Sequence, residues 1–335
     1  MKVKIANYLK QIILKRKKNF IEVLLLKIVF TLYPMKLKKF KKSLMELLSK
    51  TRINIISPSD TTIDFYTSIQ GGDYWVKYEL AKAFGKMGYA ITDFSPDVSI
   101  HLFGIPSEIP KSSYNIIWIY SHPDLIDKKI LEKYDKLFCL SSSFINKINR
   151  MGFESNLLIG ATGKKPIKRK IKYDVIFIGN TKSIQGGRKI VRDLGEICYN
   201  FKVWGRGWKD ILPPKYYGGQ YFDNQKLNEL YASSLITLND HHEDMRKEGF
   251  VSVRIFDILA SGGFCISDKN SGIEEIFEGA VPQYESPKHL RELIKYYLNN
   301  PEKRSKLMEK GRKIALKNTW KKITDQFLEE IENIK

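Results

Sequence analysis

A short polar loop that runs into a helix-like segment carries residue types suited to binding a phosphate. Ser252 precedes apolar residues at helical spacing and is the expected N-cap, which puts Arg254 in the first helical turn. A cation there opposes the positive end of the helix dipole and costs ~0.3–1 kcal/mol, and a bound anion reverses that sign. The backbone N–H groups at Ser252 and Val253, the helix dipole and the Arg254 guanidinium together predict a phosphate or diphosphate site.

Asp257 lies three residues beyond Arg254, on the same face of this predicted helix. Its carboxylate could accept hydrogen bonds from the hydroxyl groups of a sugar. The simpler interpretation is that Arg254 and Asp257 form an i,i+3 ion pair on a solvated face. The spacing alone leaves both interpretations open.

The whole segment 238–268, LNDHHEDMRKEGFVSVRIFDILASGGFCISD, resembles the donor-binding signature of nucleotide-sugar glycosyltransferases of the GT-B type, in particular the bacterial CgeB-like group. The matching residues are Asn239, Asp240, His241, Asp244, Met245, Gly249, Phe250, Ser252, Arg254, Phe256, Asp257, Ala260, Gly262, Ile266, Ser267 and Asp268. In the broader retaining families two glutamates lie eight positions apart. Here Glu248 plus eight is Phe256, and the carboxylate follows at Asp257. The resemblance therefore assigns ribose binding to Asp257, and we expect no role for Glu248.

Length and composition indicate a globular protein with two domains. The chain has 335 residues, 43% of them hydrophobic, and a net charge of +20. From the residue pattern and the resemblance we predict an α/β fold of GT-B type, with two Rossmann-like doubly wound domains facing a cleft. The predicted boundaries are a basic helical extension (1–52), an acceptor-side domain (53–163), a linker (164–172), a nucleotide-sugar-binding domain (173–320) and a last helix that crosses back (321–335).

The amino-terminal extension holds most of the positive charge. Residues 1–52 contain fifteen Lys or Arg and two acids, hence 15 − 2 = +13 of the total of +20. Apolar residues recur at helical spacing between the lysines, and the longest apolar run is too short and too charged to span a bilayer. We expect a helix lying on an anionic membrane surface. The alternative is a helical hairpin packed on the protein, and nucleic-acid binding is not expected because no recognisable module is present.

The predicted first domain opens with a strand, a glycine loop and a helix. The loop contains Gly71, Gly72 and Asp73 and lacks the G-x-G-x-x-G fingerprint of dinucleotide binding. The resemblance to GT-B enzymes places this loop near the transferred sugar. His122 follows another predicted strand, at the edge where open α/β sheets bind ligands. It could contact the donor or acceptor or act as a base, although a lone turn histidine is more often structural.

The predicted second domain repeats this pattern. A buried strand ends at Gly179 and Asn180, and a glycine pair then precedes Arg188, which by the resemblance reaches a phosphate. Further along, Arg206 lies between two glycines that permit close approach of a base, and Trp208 offers either a stacking face or core packing.

A metal site is not expected, although five consecutive residues from Asp240 to Asp244 have metal-ligand side chains. Consecutive residues rarely converge on one ion, and no second ligand pair at helical spacing supports them. The charge of a leaving diphosphate would instead be met by Arg254, Arg188 and the helix terminus. The resemblance places His241 in the donor pocket, where it could add a hydrogen bond.

The resemblance, together with these residues, predicts a glycosyltransferase that moves a sugar from a nucleotide diphosphate-sugar to a lipid-linked saccharide of a bacterial surface glycan. Retention, no cofactor and attachment to the cytoplasmic membrane face are expected. If the reaction inverts, Asp73, His122 or Asp124 would be the base. The alternatives are a nucleotide-sugar epimerase on the same fold and a non-catalytic sugar-nucleotide or glycan-binding protein. Three widely spaced cysteines are interpreted as buried thiols in a reducing compartment.

Overall fold

The computed structural model describes residues 51–60, 71–93, 95–104, 112–181 and 187–332. Residues 1–50 of the predicted helical extension (1–52) lie outside these described residues, as does the end of the chain after Glu332. Within the described ranges the chain forms two parallel six-stranded sheets, each with helices packed against it. This arrangement confirms the predicted α/β class.

The first sheet is formed by short, apolar, mostly buried strands. Its strands are β1 (Arg52–Ile56), β2 (Ala90–Ile91), β3 (Val98–Phe103), β4 (Tyr114–Ile119), β5 (Lys136–Cys139) and β6 (Asn156–Leu157). Its helices are α1 (Gly72–Lys86), α2 (Lys128–Leu131) and α3 (Ser142–Arg150). All six residues of β3 are buried, so it lies at the centre of this sheet's core.

The second sheet repeats the alternation of strand and helix. Its strands are β7 (Tyr173–Ile178), β8 (Phe201–Trp204), β9 (Tyr217–Gly219), β10 (Ser234–Asn239), β11 (Cys265–Asp268) and β12 (Gln283–Tyr284). The helices around it are α4 (Lys189–Arg192), α5 (Leu227–Ala232), α6 (Glu243–Lys247), α7 (Val253–Ala260), α8 (Ser271–Phe277), α9 (Pro287–Asn299) and α10 (Pro301–Lys317). No regular element interrupts residues 163–172, between the two sheets.

Strand order fixes where each sheet can bind a ligand. The first sheet has the order β2-β1-β3-β4-β5-β6, so its order reverses between β1 and β3. The second has the order β12-β11-β10-β7-β8-β9 and reverses between β10 and β7. At such a switch point the two helices that follow the strands lie on opposite faces, which leaves a crevice at the carboxyl ends of the strands. The crevice of the second sheet therefore begins at Gly179 and Asp240.

The last helix, α11 (Trp320–Glu332), packs on the first sheet although it follows the second along the chain. Phe327 lies at its centre, with ring centroids 5.0 Å from Phe138, 6.0 Å from Trp118 and 6.2 Å from Phe84. Lys136 of β5 forms a 2.7 Å ion pair with Glu330. The chain thus passes twice between the sheets, at residues 163–172 and just before Trp320.

One expectation about individual side chains changes with the fold. Cys139 and Cys265 are buried as predicted, but Cys198 is exposed, because it lies in an irregular segment before β8 rather than in a strand. Among the described residues, no helix is long and apolar enough to cross a membrane.

Candidate donor site in the cleft

A cleft of about 1140 Å³ separates the two sheets. Helix α1 and the ends of β1, β3 and β4 form what we call its amino-terminal wall. The amino-terminal half of α7 and the loops after β7, β8 and β10 form its carboxyl-terminal wall. The structure brings most of the predicted site residues together here: Asp73, His122, Gly179, Asn180, Arg188, Arg206, Asp240, His241, Ser252, Val253, Arg254 and Asp257 all line the cleft. Asn239 lies behind them and is fully buried.

The amino terminus of α7 has the predicted cap. The Ser252 hydroxyl accepts a hydrogen bond from the Arg254 N–H at 3.3 Å, and Val253 is the first helical residue. The Arg254 side chain reaches back toward the switch point, where its Nη1 donates to the Asn239 amide oxygen at 2.9 Å. Its guanidinium carbon lies 5.9 Å from the centroid of the Phe177 ring. Arg254 is therefore held over the carboxyl ends of β7 and β10 and remains partly exposed to the cleft.

His241 orients this terminus through buried hydrogen bonds. Its Nδ1 donates to Asp268 at 2.7 Å, its backbone N–H donates to the same carboxylate at 3.0 Å, and its Nε2 accepts from the Ser252 N–H at 3.0 Å. These partners fix the neutral tautomer with the proton on Nδ1, because Nε2 has to be an acceptor. Both ring nitrogens and the Ser252 N–H are thus engaged inside the protein. The geometry gives His241 a positioning role where the sequence suggested direct contact with a leaving group.

Asp268 links His241 to Arg254. The Ser267 hydroxyl donates to Asp268 at 3.0 Å and accepts from the Asn239 amide at 3.0 Å, and Asn239 in turn holds Arg254. Polar groups at the ends of β10 and β11 therefore form one connected network with the first turn of α7. Such a network, fully satisfied in a low-dielectric interior, holds its members in a single arrangement.

Arg188 and Asp240 form a second buried pair at the same edge. The Arg188 Nε donates to Asp240 Oδ2 at 3.1 Å and its Nη2 donates to Oδ1 at 2.5 Å and to the Asp240 carbonyl at 3.1 Å. Both side chains are nearly inaccessible, with relative exposures of 6% and 4%. Burial raises the pKa of Asp240, and the Arg188 charge opposes that rise. The resemblance assigned Arg188 to a phosphate. Its Nε and Nη2 hold the Asp240 loop, and the phosphate contact stays a prediction.

Asp257 lies at the floor of the cleft and is not paired with Arg254. The Thr162 hydroxyl donates to its Oδ1 at 2.5 Å, so the ion-pair alternative raised by the sequence does not describe it. Burial raises the pKa of Asp257 to about 6, against the opposing effects of Lys164 and Thr162. Its carboxylate is thus a hydrogen-bond acceptor that titrates near neutrality.

Lys164 is a site residue that sequence reasoning missed. It begins the segment interpreted as the linker, yet its Nζ lies in the cleft and donates to the Asn224 carbonyl at 2.5 Å and to its amide oxygen at 3.0 Å. Burial lowers the pKa of Lys164, while the Asp257 carboxylate acts in the opposite direction. A lysine at the end of a charged, proline-containing stretch gives no local signal of this role, because its partners lie far away along the chain.

Close backbone approach explains the glycines after β7 and β8. A Cβ on Gly205, whose φ is +146°, would lie 2.2 Å from the Gly179 carbonyl oxygen. The Arg206 N–H donates to the Asn180 side chain at 2.9 Å, and the Trp208 indole donates to the Gly179 carbonyl at 2.6 Å. Trp208 is fully buried. The sequence left open whether Trp208 stacks on a base or packs in the core. The structure shows core packing, because the ring is buried and its indole N–H is already bonded behind the loop.

His122 takes part in a contact between the two walls. It adopts the left-handed region, with φ 50° and ψ 57°, which is uncommon for a residue other than glycine. Its Nδ1 lies 3.4 Å from the Asp244 carboxylate, and its ring lies 5.4 Å from that of His242. A hydrogen bond with Asp244 raises the pKa of the neighbouring Asp124. His122 and Asp124 therefore face α6 across the cleft.

Glu248 lies at the join between the walls, away from the ligand-facing surface of α7. Its carbonyl accepts hydrogen bonds from the hydroxyls of Ser141 at 2.5 Å and Ser143 at 2.8 Å, and its carboxylate pairs with Lys147 at 2.5 Å. Phe250 follows and packs on Phe144, with ring centroids 5.5 Å apart. The sequence predicted no donor-site role for Glu248, and the contacts observed join the two halves of the molecule.

The polar loop from Asp240 to Asp244 spreads its side chains in different directions. Asp240 faces Arg188, His241 faces Asp268, and Asp244 faces His122. Within the described ranges, no group of three or more His, Cys, Asp or Glu side chains is placed to hold a metal ion. The predicted independence of metal stays a prediction.

Comparison with known proteins supports the chemistry suggested by this geometry. Residues 184–329 match the protein-family model described as "Glycosyl transferase-like". This part of the chain is a glycosyl transferase-like domain. It contains α7, Asp240 and His241, so the carboxyl-terminal wall belongs to it almost entirely. No curated protein matches the chain.

Solved structures of glycosyltransferases share the fold of the whole described chain. The T4 phage beta-glucosyltransferase in complex with UDP and Mn²⁺ matches with a TM-score of 0.57 and 14% identity, covering 82% of this chain and 98% of that one. Sucrose-phosphate synthase from Thermosynechococcus elongatus matches with a TM-score of 0.61 and 11% identity, covering 85% and 99%. AviGT4, a glycosyltransferase involved in avilamycin A biosynthesis, matches with a TM-score of 0.54 and 14% identity, covering 83% and 96%. With the family match, these likenesses confirm the predicted GT-B fold and the prediction of a glycosyltransferase.

Proposed function

We propose that the protein transfers a sugar from a nucleotide diphosphate-sugar to a glycan or lipid-linked saccharide of a bacterial surface. The observation that carries this proposal is the position of Arg254, which lies in the first turn of α7 over the switch point of the second sheet. A cation, a helix amino terminus and a crevice at the strand ends together suit a diphosphate. The named UDP complexes of the T4 phage enzyme make UDP-sugars the first donors to test.

Each polar group of the carboxyl-terminal wall then has a distinct role. Arg254 pairs with the diphosphate and stabilises the charge that develops as it leaves. Asp257 accepts hydrogen bonds from the ribose hydroxyls, with Thr162 holding one of its oxygens. His241 and Asp268 keep the Ser252 cap in place. Gly179, Asn180 and Arg206 form the backbone surface against which the base lies.

In the transfer, the bond between the anomeric carbon and the diphosphate oxygen breaks, and the acceptor oxygen bonds to that carbon. The hydroxyl proton passes to the departing diphosphate in a retaining reaction, or to a base in an inverting one. We favour retention of configuration. Inversion needs a base near the acceptor hydroxyl, whereas His122 and Asp124 are engaged with Asp244. Asp73, at the start of α1, lines the cleft and is a third candidate base if the reaction inverts.

We further propose that the enzyme works without a metal ion and at a membrane surface. Arg254 and the α7 dipole supply positive charge where a metal would otherwise neutralise the diphosphate. Residues 1–50 carry most of the net charge of the chain and lie outside the described residues. Each basic residue near an anionic surface contributes about 1 kcal/mol of binding, so this segment suits attachment to the cytoplasmic face, where lipid-linked acceptors occur.

The test is a transfer assay with the full-length protein, UDP-, GDP-, CDP-, ADP- and dTDP-sugars, and a lipid-linked saccharide fraction extracted from bacterial membranes. We expect acceptor-dependent release of one nucleoside diphosphate in the presence of EDTA, reduced about tenfold or more by Arg254→Ala because a charge-assisted pair is lost. NMR of the product's anomeric proton gives the configuration. Activity that needs Mg²⁺ or Mn²⁺ would contradict metal independence.

Two other outcomes would replace the proposal. An isomerised nucleotide-sugar formed without acceptor would identify an epimerase. Tight nucleotide binding without turnover of any donor, at any acceptor concentration, would identify a non-catalytic binding protein.

A further inference from the structure

Helix α1 has two faces of different character. Val76, Leu80 and Phe84 are buried in the core of the first sheet. On the face that lines the cleft are Trp75, Tyr78, Glu79 and Lys82, which follow the three-, four- and seven-residue spacing of one helical stripe. A solvated helix face usually carries charged and small polar residues. The two large aromatic side chains on this one are not needed for the core, which the opposite face supplies.

The aromatic rings of this stripe hold one another in place. Tyr74 lies beside it, with ring centroids 5.2 Å from Trp75 and 6.3 Å from Tyr78, and the two tyrosine rings are nearly parallel at 17°. The Trp75 and Tyr78 centroids are 5.5 Å apart. Tyr78 nevertheless keeps 38% of its surface exposed. Rigid rings lose little conformational entropy when they bind, so this stripe is a preorganised apolar surface that a ligand can cover.

Charged groups border the rings. Glu79 lies 3.9 Å from Lys82, and Asp73 lies at the start of the helix. Carboxylates accept hydrogen bonds from hydroxyl groups, and the ammonium donates to them. The Lys82 Nζ also lies 5.6 Å from the Tyr78 ring centroid, so a carboxylate and an ammonium border the rings side by side. A purely aliphatic ligand is disfavoured here, because it would desolvate charged groups without pairing them.

The stripe adjoins the donor site. Across the cleft floor from Glu79 lie Lys164 and Asp257, and the Glu79 charge contributes to the raised pKa of Asp257. Gly163 lies against Glu79 at this floor. A Cβ on Gly163 would be only 3.1 Å from the Glu79 carboxylate. A ligand bound on α1 would therefore lie in the same cleft as the sugar that the donor delivers.

We infer that the cleft face of α1 binds the sugar of the acceptor, with Trp75 and Tyr78 against the C–H face of a pyranose ring and Glu79 accepting hydrogen bonds from its hydroxyls. A pyranose has an apolar face and a hydroxyl edge, which matches an aromatic surface with a carboxylate border. This inference rests on the proposed transferase function and names the class of acceptor: a saccharide recognised directly, rather than a lipid chain alone.

Saturation-transfer NMR tests the inference, with UDP present and four defined probes: the methyl glycosides of glucose, galactose, mannose and N-acetylglucosamine. We expect transfer to the ring C–H protons of at least one probe in wild type, reduced about fivefold or more in Tyr78→Ala and Trp75→Ala, because each loses an aromatic face. Tyr78→Phe keeps the ring and should keep the signal. Tyr296→Ala is the matched control, because Tyr296 is a 45% exposed tyrosine on α9, outside the cleft lining.

The outcomes separate this inference from the proposed function. If UDP binds every variant but the glycoside signal is equal in wild type and Tyr78→Ala, the α1 site is contradicted and the donor site stands. The α1 site is equally contradicted if UDP binds wild type and none of the four glycosides does. If UDP does not bind wild type, the donor site fails first. Circular dichroism shows whether Trp75→Ala is folded. If it is not, Tyr78→Ala alone tests the α1 site, because the Tyr78 side chain is exposed.

Discussion

The two walls of the cleft are held together by different interactions. On the carboxyl-terminal wall, Arg254, His241 and Arg188 are each fixed by hydrogen bonds to buried polar partners at strand ends. On the amino-terminal wall, the side chains of α1 that face the cleft mainly contact one another, and Tyr78 remains exposed. The difference suggests that the wall proposed to bind the nucleotide diphosphate is built into the fold. The wall proposed to bind the acceptor is a helix surface, where we expect substitutions to leave the protein folded.

The largest effect is expected from breaking the buried pair on the carboxyl-terminal wall. Asp240→Ala leaves the Arg188 guanidinium buried without its carboxylate, to which its Nε and Nη2 both donate. An uncompensated buried charge costs about 3–5 kcal/mol, measurable as a lower midpoint of urea denaturation. Tyr78→Ala, on the other wall, should change stability by no more than about 0.5 kcal/mol.

A matched control is the exposed i,i+4 pair between Lys321 and Asp325 on α11. Lys321→Ala should cost less than about 0.5 kcal/mol, since such pairs contribute little. If Asp240→Ala were no more harmful than Lys321→Ala, the carboxyl-terminal wall would not depend on its buried polar contacts, and the comparison of the walls would fail.

A smaller effect is expected at the join between the walls. Gly249 has a φ of +73°, and a Cβ there would lie 2.9 Å from the Ser143 hydroxyl and 3.1 Å from that of Ser141. Gly249→Ala should therefore destabilise the protein by about 1–3 kcal/mol through backbone strain and crowding. Thermal unfolding provides the measurement.

Gly85→Ala serves as the control for Gly249→Ala. Gly85 lies inside α1, and a Cβ on it would meet no atom within 4 Å. Alanine is preferred in helix interiors, so this variant should be neutral or more stable by up to about 1 kcal/mol. Equal stability of the two variants would show that the walls are not closely fitted at Gly249.

A pH effect of smaller size is expected from Asp257. Its folded-state pKa of about 6 exceeds the ordinary value, because burial penalises the charged form. Protons therefore bind the folded state more tightly, and this group's contribution to stability falls as pH rises from about 4 through 6. Lys164, Glu79 and Arg254 are the charged groups that act on it. UDP binding should strengthen over the same range, since the ionised carboxylate is the better acceptor for ribose hydroxyls.

Calorimetry between about pH 5 and pH 7.5, which brackets this titration, measures the effect as the ratio of the UDP Kd of wild type to that of Asp257→Asn. Titration of the nucleotide phosphate, near pH 6, cancels in that ratio. We expect the ratio to change by up to about tenfold, which corresponds to one pKa unit of titration. A constant ratio would remove Asp257 from the ribose site and leave it a structural partner of Thr162.

Local features of the fold could be predicted from the sequence, because they depend on neighbouring residues. The Ser252 cap follows from a polar residue before an apolar helical pattern. The segment around Arg254 was recognisable because its hydrogen-bond partners Asn239 and Ser252 lie at most 15 residues away along the chain.

Long-range pairings could not be predicted in the same way. Arg188 and Asp240 are 52 residues apart, Thr162 and Asp257 are 95 apart, and Ser141 and Glu248 are 107 apart. Each pair meets because of strand order or because the two sheets face each other. Neither of these causes leaves a periodic pattern in the sequence. Lys164 was interpreted as part of a linker for this reason. The aromatic stripe of α1 could have been found by asking which face of that helix the core does not use.

The central claim is that Arg254 makes the cleft a nucleotide diphosphate site. Its direct test is calorimetric binding of UDP, GDP, CDP, ADP and dTDP, with EDTA present, to wild type, Arg254→Ala and Arg150→Ala. Arg150 is an exposed residue at the end of α3 and controls for loss of one positive charge. We predict that at least one nucleotide binds wild type and Arg150→Ala alike. We predict that it binds Arg254→Ala about tenfold more weakly or worse, the loss of a charge-assisted pair worth ~1.5–3 kcal/mol. Equal binding to a folded Arg254→Ala protein would contradict the claim.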